Sequence, residues 1–195
     1  PCIDKTLLEK YNDGLIISTA CLGGEIPQAI LKGRIDVAEN TAVWYKKLFG
    51  DDFYLEIQDH GSIEDRIVNV ELIRIGKEHQ IKVIATNDAH YISNMDVEAH
   101  DALLCVLTGK LISDEKRLRY TGTEYIKSED EMLRLFNDHI DKESIKEAIN
   151  NTVEVSQKIE EFELFGTYRM PKFPLKEETD SLSFLTKITK QGLLS

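Results

Sequence analysis

The sequence predicts an α/β fold in which strand–helix units are followed by a mainly helical extension. Short apolar segments typical of buried strands alternate with segments of helical period, in the order strand, helix, strand, helix, strand. The segments between successive strands are long enough for the crossovers that parallel strands require. Residues 1–90 are therefore predicted to form consecutive βα units of a barrel or of a doubly wound sheet.

The first strand and the first helix are assigned from an apolar run and from glycine breaks. Residues 15–20 are apolar, and the run is broken by Gly23 and Gly24. Residues 25–32 have the pattern of a short helix. Gly33 ends this helix, because glycine readily adopts the left-handed conformation found after a helix C-terminus.

The next two helices and strands follow the same alternation. Asp36 is predicted to cap a helix, and residues 53–58 are predicted to form a strand with alternating apolar side chains. Ser62 and Asp65 form a capping box that opens a helix to about residue 79. Residues 81–86 are the third predicted strand. The inward-facing residues are expected to be Val37, Thr41, Trp44 and Leu48 in the first helix and Ile67, Val70 and Ile73 in the second.

The remainder of the chain has mainly helical patterns. Residues 108–125 are rich in loop-forming residues, Asp141 is a predicted helix cap, and residues 162–175 are irregular. We expect a domain boundary near residues 160–175, which divides the chain into residues 1–160 and 161–195. The predicted helices of this part cover residues 96–107, 128–136, 142–161 and 177–194.

Composition limits the classes of function. The formal net charge of −11 at pH 7 is unfavourable for non-specific nucleic-acid binding, because phosphate contacts require lysine and arginine. Residues 116–119 are basic, but we interpret them as a solvated turn. The sequence lacks an apolar run long enough for a transmembrane helix and lacks a signal-peptide pattern, so we expect no membrane partner. Three cysteines fit free thiols in a reducing, cytoplasmic compartment. Pro1 in place of methionine predicts a segment of a longer protein.

The segment IKVIATNDAHY, residues 81–91, carries the strongest functional signal. Asp88 and His90 stand two residues apart where the apolar strand ends. Alternate residues of an extended chain point in the same direction, so the carboxylate and the imidazole can converge on a metal ion. Parallel α/β folds place their chemistry at this end of their strands. A capping aspartate and a turn histidine are the structural alternative.

Cys21 and His60 follow the other two predicted strands. A thiolate, an imidazole and a carboxylate are a zinc-type ligand set, so Cys21 is predicted to join Asp88 and His90 if the sheet is parallel. A small buried hydrophobic side chain is the commoner fate of a free cysteine. His60 is a candidate neighbour of the site, as a ligand or a phosphate contact, and a surface turn is its alternative.

The other candidate residues have weaker signals. A nucleophilic pair of Cys21 with His90 is disfavoured, because its base and its acid would both face the metal position. The segment around Gly109 is not a P-loop, since no glycine stands five residues before it. His100 is expected to pack or to cap a helix, whereas His79 and His139 are expected to be exposed.

Five segments of the chain, taken together and in order, resemble one family. This family is the alpha subunits of bacterial DNA polymerase III, and the resemblance extends over essentially the whole chain. The segments are CLGGEIPQAIL (21–31), FGDDFYLEIQDHG (49–61), ATNDAHY (85–91), AHDALLCVLTGK (99–110) and MPKFPL (170–175).

The resemblance implies a PHP (polymerase and histidinol phosphatase) domain, which is a distorted (β/α)7 barrel. Residues 1–160 would be its C-terminal half, and residues 161–195 would be the linker and first helix leading into the polymerase palm. The metal site of the family holds zinc, manganese or iron and implies ligand roles for Cys21, Asp88 and His90. The resemblance carries no ligand role over to His60. The H-x-H motif and the palm aspartates of the family are absent from this sequence.

The resemblance also implies what the parent protein does. It would be a template-directed DNA polymerase that uses Mg²⁺, dNTPs and a primer–template and works with a sliding clamp and a clamp loader. Members that keep the PHP ligands can act as metal-dependent 3′–5′ exonucleases, which is the preferred expectation. The alternatives are a non-catalytic PHP module that docks a separate proofreading subunit and a free-standing PHP-type phosphoesterase. The 195-residue chain alone is expected to be inactive.

Overall fold

The computed structural model describes residues 3–161, 163, 165–168, 170–171, 174–175 and 180–194. The chain divides into two compact units, Pro1–Ile159 and Glu160–Ser195. The assignment of residues 1–160 and 161–195 to parts of a larger protein stays a prediction. None of the helices in the described part is long and apolar enough to cross a bilayer.

The first unit is built on a sheet of three parallel strands in the order β1-β2-β3. β1 is Ile17–Ser18, β2 is Phe53–Ile57 and β3 is Val83–Ala85. The predicted α/β class and the parallel order are confirmed. The (β/α)7 barrel stays a prediction, since three strands are found in the described part of the chain.

The helices cover most of the positions expected from the sequence. The predicted helix over 142–161 ends at Lys158, and the predicted start at Glu177 lies outside the described residues, as do Phe162, Lys172 and Phe173. Short 3₁₀ turns occupy Gly50–Asp52 and Asn94–Asp96. The helices of the first unit are α1 (Lys5–Lys10), α2 (Glu25–Leu31), α3 (Ile35–Phe49), α4 (Ile63–His79), α5 (Val97–Thr108), α6 (Glu129–Phe136) and α7 (Lys142–Lys158), and the second unit contains α8 (Ser181–Leu194).

The helix caps were predicted well, with one exception. Ser62 and Asp65 form the expected capping box, and Asp141 accepts a hydrogen bond from the amide of Ser144. The predicted cap at Asp36 is wrong. α3 begins at Ile35, directly after a turn in which Gly33 has a φ of 68°, so Asp36 already lies in the first helical turn.

The predicted inner faces of two helices are wrong by about one position. Val37 is 37% exposed, and α3 instead buries Ala38, Thr41 and Ala42 together with Phe49. In α4, Ile67 and Val70 are about half exposed, at 51% and 50%. The buried face of α4 contains Asp65, Val68, Asn69, Leu72, Ile75 and Gly76. Its polar and small members explain why a search for apolar spacing placed the stripe elsewhere.

Gly76 shows how closely α4 approaches the sheet. A Cβ atom placed on Gly76 would lie 2.9 Å from the carbonyl oxygen of Ile81 and 2.9 Å from Cγ2 of Val83. On the other side of β3, Asn151 of α7 donates a hydrogen bond to the carbonyl of Val83 (2.8 Å). These contacts bury the sheet between helices and fix the ends of its strands.

Candidate metal centre

Polar side chains join the ends of the three strands. The carboxylate of Glu56 in β2 accepts hydrogen bonds from Ser18 Oγ at β1 and from Thr86 Oγ1 at β3 (2.6 Å). The Glu56 amide donates to Thr19 Oγ1 (2.8 Å). The sheet therefore brings the residues that follow its strands to one edge, as expected for parallel strands.

Asp88 lies between two histidines at this edge. Its Oδ2 is 3.4 Å from Nε2 of His60, and its Oδ1 is 3.5 Å from Nε2 of His90. The His60 side chain is only 17% exposed. The structure thus brings Asp88 and His90 together, and it adds His60, the residue that the sequence suggested as a neighbour.

Asp88 and His90 do not meet by the geometry that the sequence predicted. Asp88 has a φ of 47°, in the left-handed region, so the expected extended conformation is wrong at this residue. The chain turns here, and the amides of His90 and Tyr91 then donate to the carbonyl of Glu124 (2.8 and 3.3 Å). Lys127 donates its amide to Oδ1 of Asn87 (2.9 Å). The segment 87–91 is therefore held by the segment 124–127.

Glu124 is a buried carboxylate beside the histidines, and the sequence gave no reason to select it. Its side chain is 4% exposed, and its Oε1 lies 3.7 Å from Nδ1 of His60. Burial alone raises the pKa of Glu124. Hydrogen bonds from the Thr121 hydroxyl and amide, from its own surroundings and from Tyr91 outweigh this and lower the pKa to about 2. Glu124 is thus a fixed negative charge behind the site.

Cys21 lies at the same edge of the sheet but in a different cleft. This small cleft is also lined by Glu56 and Gln58. The thiol is free and exposed, so the alternative of a small buried side chain is wrong. Among the described residues, Cys21 does not join Asp88 and His90 in a group whose ligand atoms all lie within 4.8 Å of one another. Its ligand role stays a prediction.

A second polar cluster lies beneath His60. Asp59 is 3% exposed, and its Oδ2 has no hydrogen-bond partner and lies 3.9 Å from Nδ1 of His139. The same nitrogen is 2.6 Å from Asp138. The expectation that His139 is exposed is wrong, since its side chain is 7% exposed. Asp59, Asp138 and His139 are one of two described groups whose ligand atoms are close enough to hold a metal ion; the other is Glu39, Glu78 and His79.

The basic segment 116–119 is more structured than predicted. The Arg117 side chain is 2% exposed, and its guanidinium binds both carboxylate oxygens of Asp101. The interpretation of this segment as a solvated turn is therefore wrong at Arg117. His100 packs against Tyr91 and Tyr120 (ring centroids 5.2 and 5.1 Å apart), which confirms that it is a packed residue.

The donors around Asp88 fit a divalent metal ion. Nε2 of His60 is buried and has no hydrogen-bond partner, although a carboxylate oxygen lies 3.4 Å away. A nitrogen left in this way, next to a carboxylate and a second imidazole, is suited to a metal ion of intermediate softness such as zinc.

Comparison with known proteins gives the class of this chain. Residues 1–60 match the family model described as the PHP domain. The fold of that part of the chain and the polar edge of its sheet are therefore those of a PHP-related chain.

The particular relatives extend over the whole sequence and have the same description. The chain is 42% identical over 196 residues to DNA polymerase III subunit alpha of Borreliella burgdorferi, and the match covers 99% of the chain and 17% of that relative. The same subunit of Campylobacter jejuni is 40% identical over 223 residues (99% and 18%), and that of Thermus aquaticus is 36% identical over 198 residues (100% and 16%). The chain thus spans less than a fifth of these relatives. Its resemblance to bacterial DNA polymerase III alpha subunits, predicted from five motifs, is confirmed.

Proposed function

We propose that this chain is the segment of a bacterial DNA polymerase III alpha subunit that supplies part of a metal-dependent 3′–5′ exonuclease site. The similarity over 99% of the chain supports the parent protein. The observation that carries the site is the carboxylate of Asp88 between the imidazoles of His60 and His90. Residues 1–160 would form the C-terminal half of the PHP barrel, and residues 161–195 would lead into the palm.

Asp88 and His90 are the residues that would hold a zinc, manganese or iron ion, with Cys21 as a further ligand. When bound, such an ion supplies Lewis acidity for the hydrolysis of a phosphodiester. His60 would orient the carboxylate of Asp88 from the opposite side. Nδ1 of His60 lies 3.0 Å from Thr123 Oγ1, and this contact fixes the plane of its ring. Such supporting contacts are as important to a metal site as the ligands are.

The parent protein would carry out template-directed DNA synthesis in the cytoplasm. Its polymerase centre, outside this sequence, would use Mg²⁺, a primer–template and dNTPs. The sliding clamp, the clamp loader and a proofreading subunit are the expected partners. The net charge of −11 supports a duplex-binding surface elsewhere in the parent.

A non-catalytic PHP module that docks a proofreading subunit is the second candidate. The contacts of 3.4 and 3.5 Å around Asp88 favour it, because an ion-pair network without a metal has the same geometry. A free-standing PHP-type phosphoesterase is a weaker candidate, because the similarity to polymerase subunits continues through residues 161–195.

The decisive experiment substitutes Asp88 by asparagine in the complete polypeptide. Asparagine has nearly the same size but no charge, so excision of a mismatched 3′ nucleotide should fall by about 100-fold. Primer extension on the same preparation should change by less than about twofold, since the polymerase centre lies elsewhere. Asp36→Asn, at an exposed aspartate of α3, is the matched control. Equal excision by Asp88→Asn and the parent protein would support the docking module instead.

The 195-residue chain by itself should show neither DNA synthesis nor robust nuclease activity. It lacks the H-x-H ligands and the palm aspartates of the family, so it should hold metal weakly. Stoichiometric zinc that survives dialysis against a chelator, or excision abolished by Asp88→Asn in this chain, would contradict the expectation.

A further inference from the structure

A cleft opens beside His90, between α5 and the segment 112–120. Its volume is about 270 Å³, slightly below the range of roughly 300–1,000 Å³ typical of sites for drug-sized ligands. It is thus large enough for one planar ring system. Its lining includes Val97, His100, Asp101, Ile112, Arg119 and Tyr120.

One wall of this cleft is aromatic and adjoins the candidate metal centre. The Tyr120 ring lies 4.3 Å from the His90 ring and 5.1 Å from the His100 ring, measured between centroids. A group stacked against Tyr120 would therefore be a neighbour of His90. Aromatic faces of this kind stack with nucleobases irrespective of sequence.

The charges of the cleft leave one arginine at its surface. Arg117 is buried and neutralises Asp101 through a two-pronged ion pair, which lowers the pKa of the Asp101 carboxyl. Arg119 is exposed, and one terminal nitrogen donates to the carbonyl of Ile112 (3.1 Å), which positions its guanidinium. Glu98 also lines the cleft and would oppose a phosphate, so a single phosphate contact, at Arg119, is the most that these groups support.

We propose that this cleft binds a nucleobase of a single-stranded DNA 3′ end by stacking on Tyr120, with the adjoining phosphate on Arg119. The proposal rests on the exonuclease function proposed above and names how its substrate is held. A paired duplex end cannot insert a base here, because its bases are stacked on each other. The cleft therefore selects a frayed or mismatched end and places it next to His90 and Asp88.

Photo-crosslinking tests this proposal separately from catalysis. The probe is a short oligothymidylate with 5-iododeoxyuridine next to its 3′ terminus, mixed with the complete polypeptide in EDTA and irradiated. Crosslinked peptides are then identified by mass spectrometry, so that DNA bound at the polymerase centre does not interfere. The crosslink is expected on the peptide that contains Tyr120, in Asp88→Asn as well as in the parent protein.

The variants distinguish stacking from a general loss of structure. Tyr120→Phe should retain the crosslink, whereas Tyr120→Ala should reduce it at least about fivefold, the effect of losing one stacked base. Arg119→Ala should weaken it and reduce the dependence of log K on log salt by about 0.7, the value for one phosphate of a single strand. Tyr11→Ala and Arg34→Ala, at exposed residues elsewhere, are the matched controls.

Each outcome has a defined meaning. A crosslink elsewhere in the sequence, or equal crosslinking by Tyr120→Ala and Tyr120→Phe, would overturn the cleft proposal even if Asp88→Asn abolishes excision. A crosslink at Tyr120 together with unchanged excision in Asp88→Asn would support the cleft as a binding site and reject the exonuclease function.

Discussion

The sheet and the segment that carries the candidate site are stabilised in different ways. All three strands contain or adjoin buried apolar residues, and β2 is buried on both faces, with Tyr54 and Leu55 both at 0% exposure. In residues 87–127, by contrast, Cys105 and Glu124 are the only buried residues. This second segment is held by hydrogen bonds to Glu124 and by the ion pair of Arg117 with Asp101.

This difference separates stability from site geometry. Apolar burial contributes free energy without direction, so it holds the sheet but does not orient Asp88 or His90. Hydrogen bonds to a buried carboxylate are directional and orient the backbone around His90. Substitutions in the sheet should therefore unfold the first unit, whereas substitutions around Glu124 should loosen the site and leave the sheet in place.

The largest effect is expected from Leu55→Ala in the central strand. Leu55 is fully buried, so its truncation should lower the free energy of unfolding by about 2–5 kcal/mol through lost burial and a cavity. Urea denaturation followed by circular dichroism measures this change. Leu107→Ala, at a residue of α5 that is 72% exposed, is the control and should change stability by less than about 0.5 kcal/mol. Equal effects of the two substitutions would mean that the core does not lie in the sheet.

The second effect is the pH dependence contributed by Glu124. Its folded pKa of about 2 lies below its ordinary value of about 4.3, so its stabilisation is fully present above pH 4.3 and is lost as the pH falls towards 2. This contribution is about 3 kcal/mol. Glu124→Gln should flatten the stability profile in this pH range. Hydrogen exchange should accelerate at the amides of His90 and Tyr91 but not in β2. Acceleration in β2 as well would show that the two regions do not unfold separately.

A third substitution tests the contact between α4 and β3. Glycine weakens a helix, so helix propensity alone predicts that Gly76→Ala stabilises the protein by about 1 kcal/mol. The Cβ atom would lie 2.9 Å from a backbone carbonyl oxygen, and we expect a destabilisation of about 1–3 kcal/mol instead. The sign of the change in thermal midpoint decides between the two. A stabilised variant would show that α4 can move away from the sheet.

The smallest effect concerns helix capping. Ser62→Ala removes a side chain that accepts a hydrogen bond from the Asp65 amide (2.9 Å), and it should cost about 1 kcal/mol. Asp36→Asn should cost only about 0.3 kcal/mol, because Asp36 interacts with the helix dipole and does not cap. Chemical denaturation of both variants measures the difference. A larger cost at Asp36 would restore the cap that the sequence predicted.

The sequence predicted what depends on local pattern and missed what depends on distant contacts. The capping boxes, the strand order and the meeting of Asp88 with His90 follow from spacing within a few residues. The role of Glu124 and the burial of His139 depend on segments that fold back from far along the chain, and neither leaves a local signal. The rotated faces of α3 and α4 have another cause, because close packing favoured small and polar residues such as Ala38 and Gly76 over the larger apolar ones.

The left-handed backbone at Asp88 has a consequence for how such a site can change through evolution. Besides aspartate, asparagine and glycine are the residues that adopt this conformation most readily. A single base transition in an aspartate codon produces either of them. A lineage can therefore lose the negative charge in one mutational step while the loop keeps its shape. The same loop can then persist as an architectural element in descendants that no longer perform the chemistry.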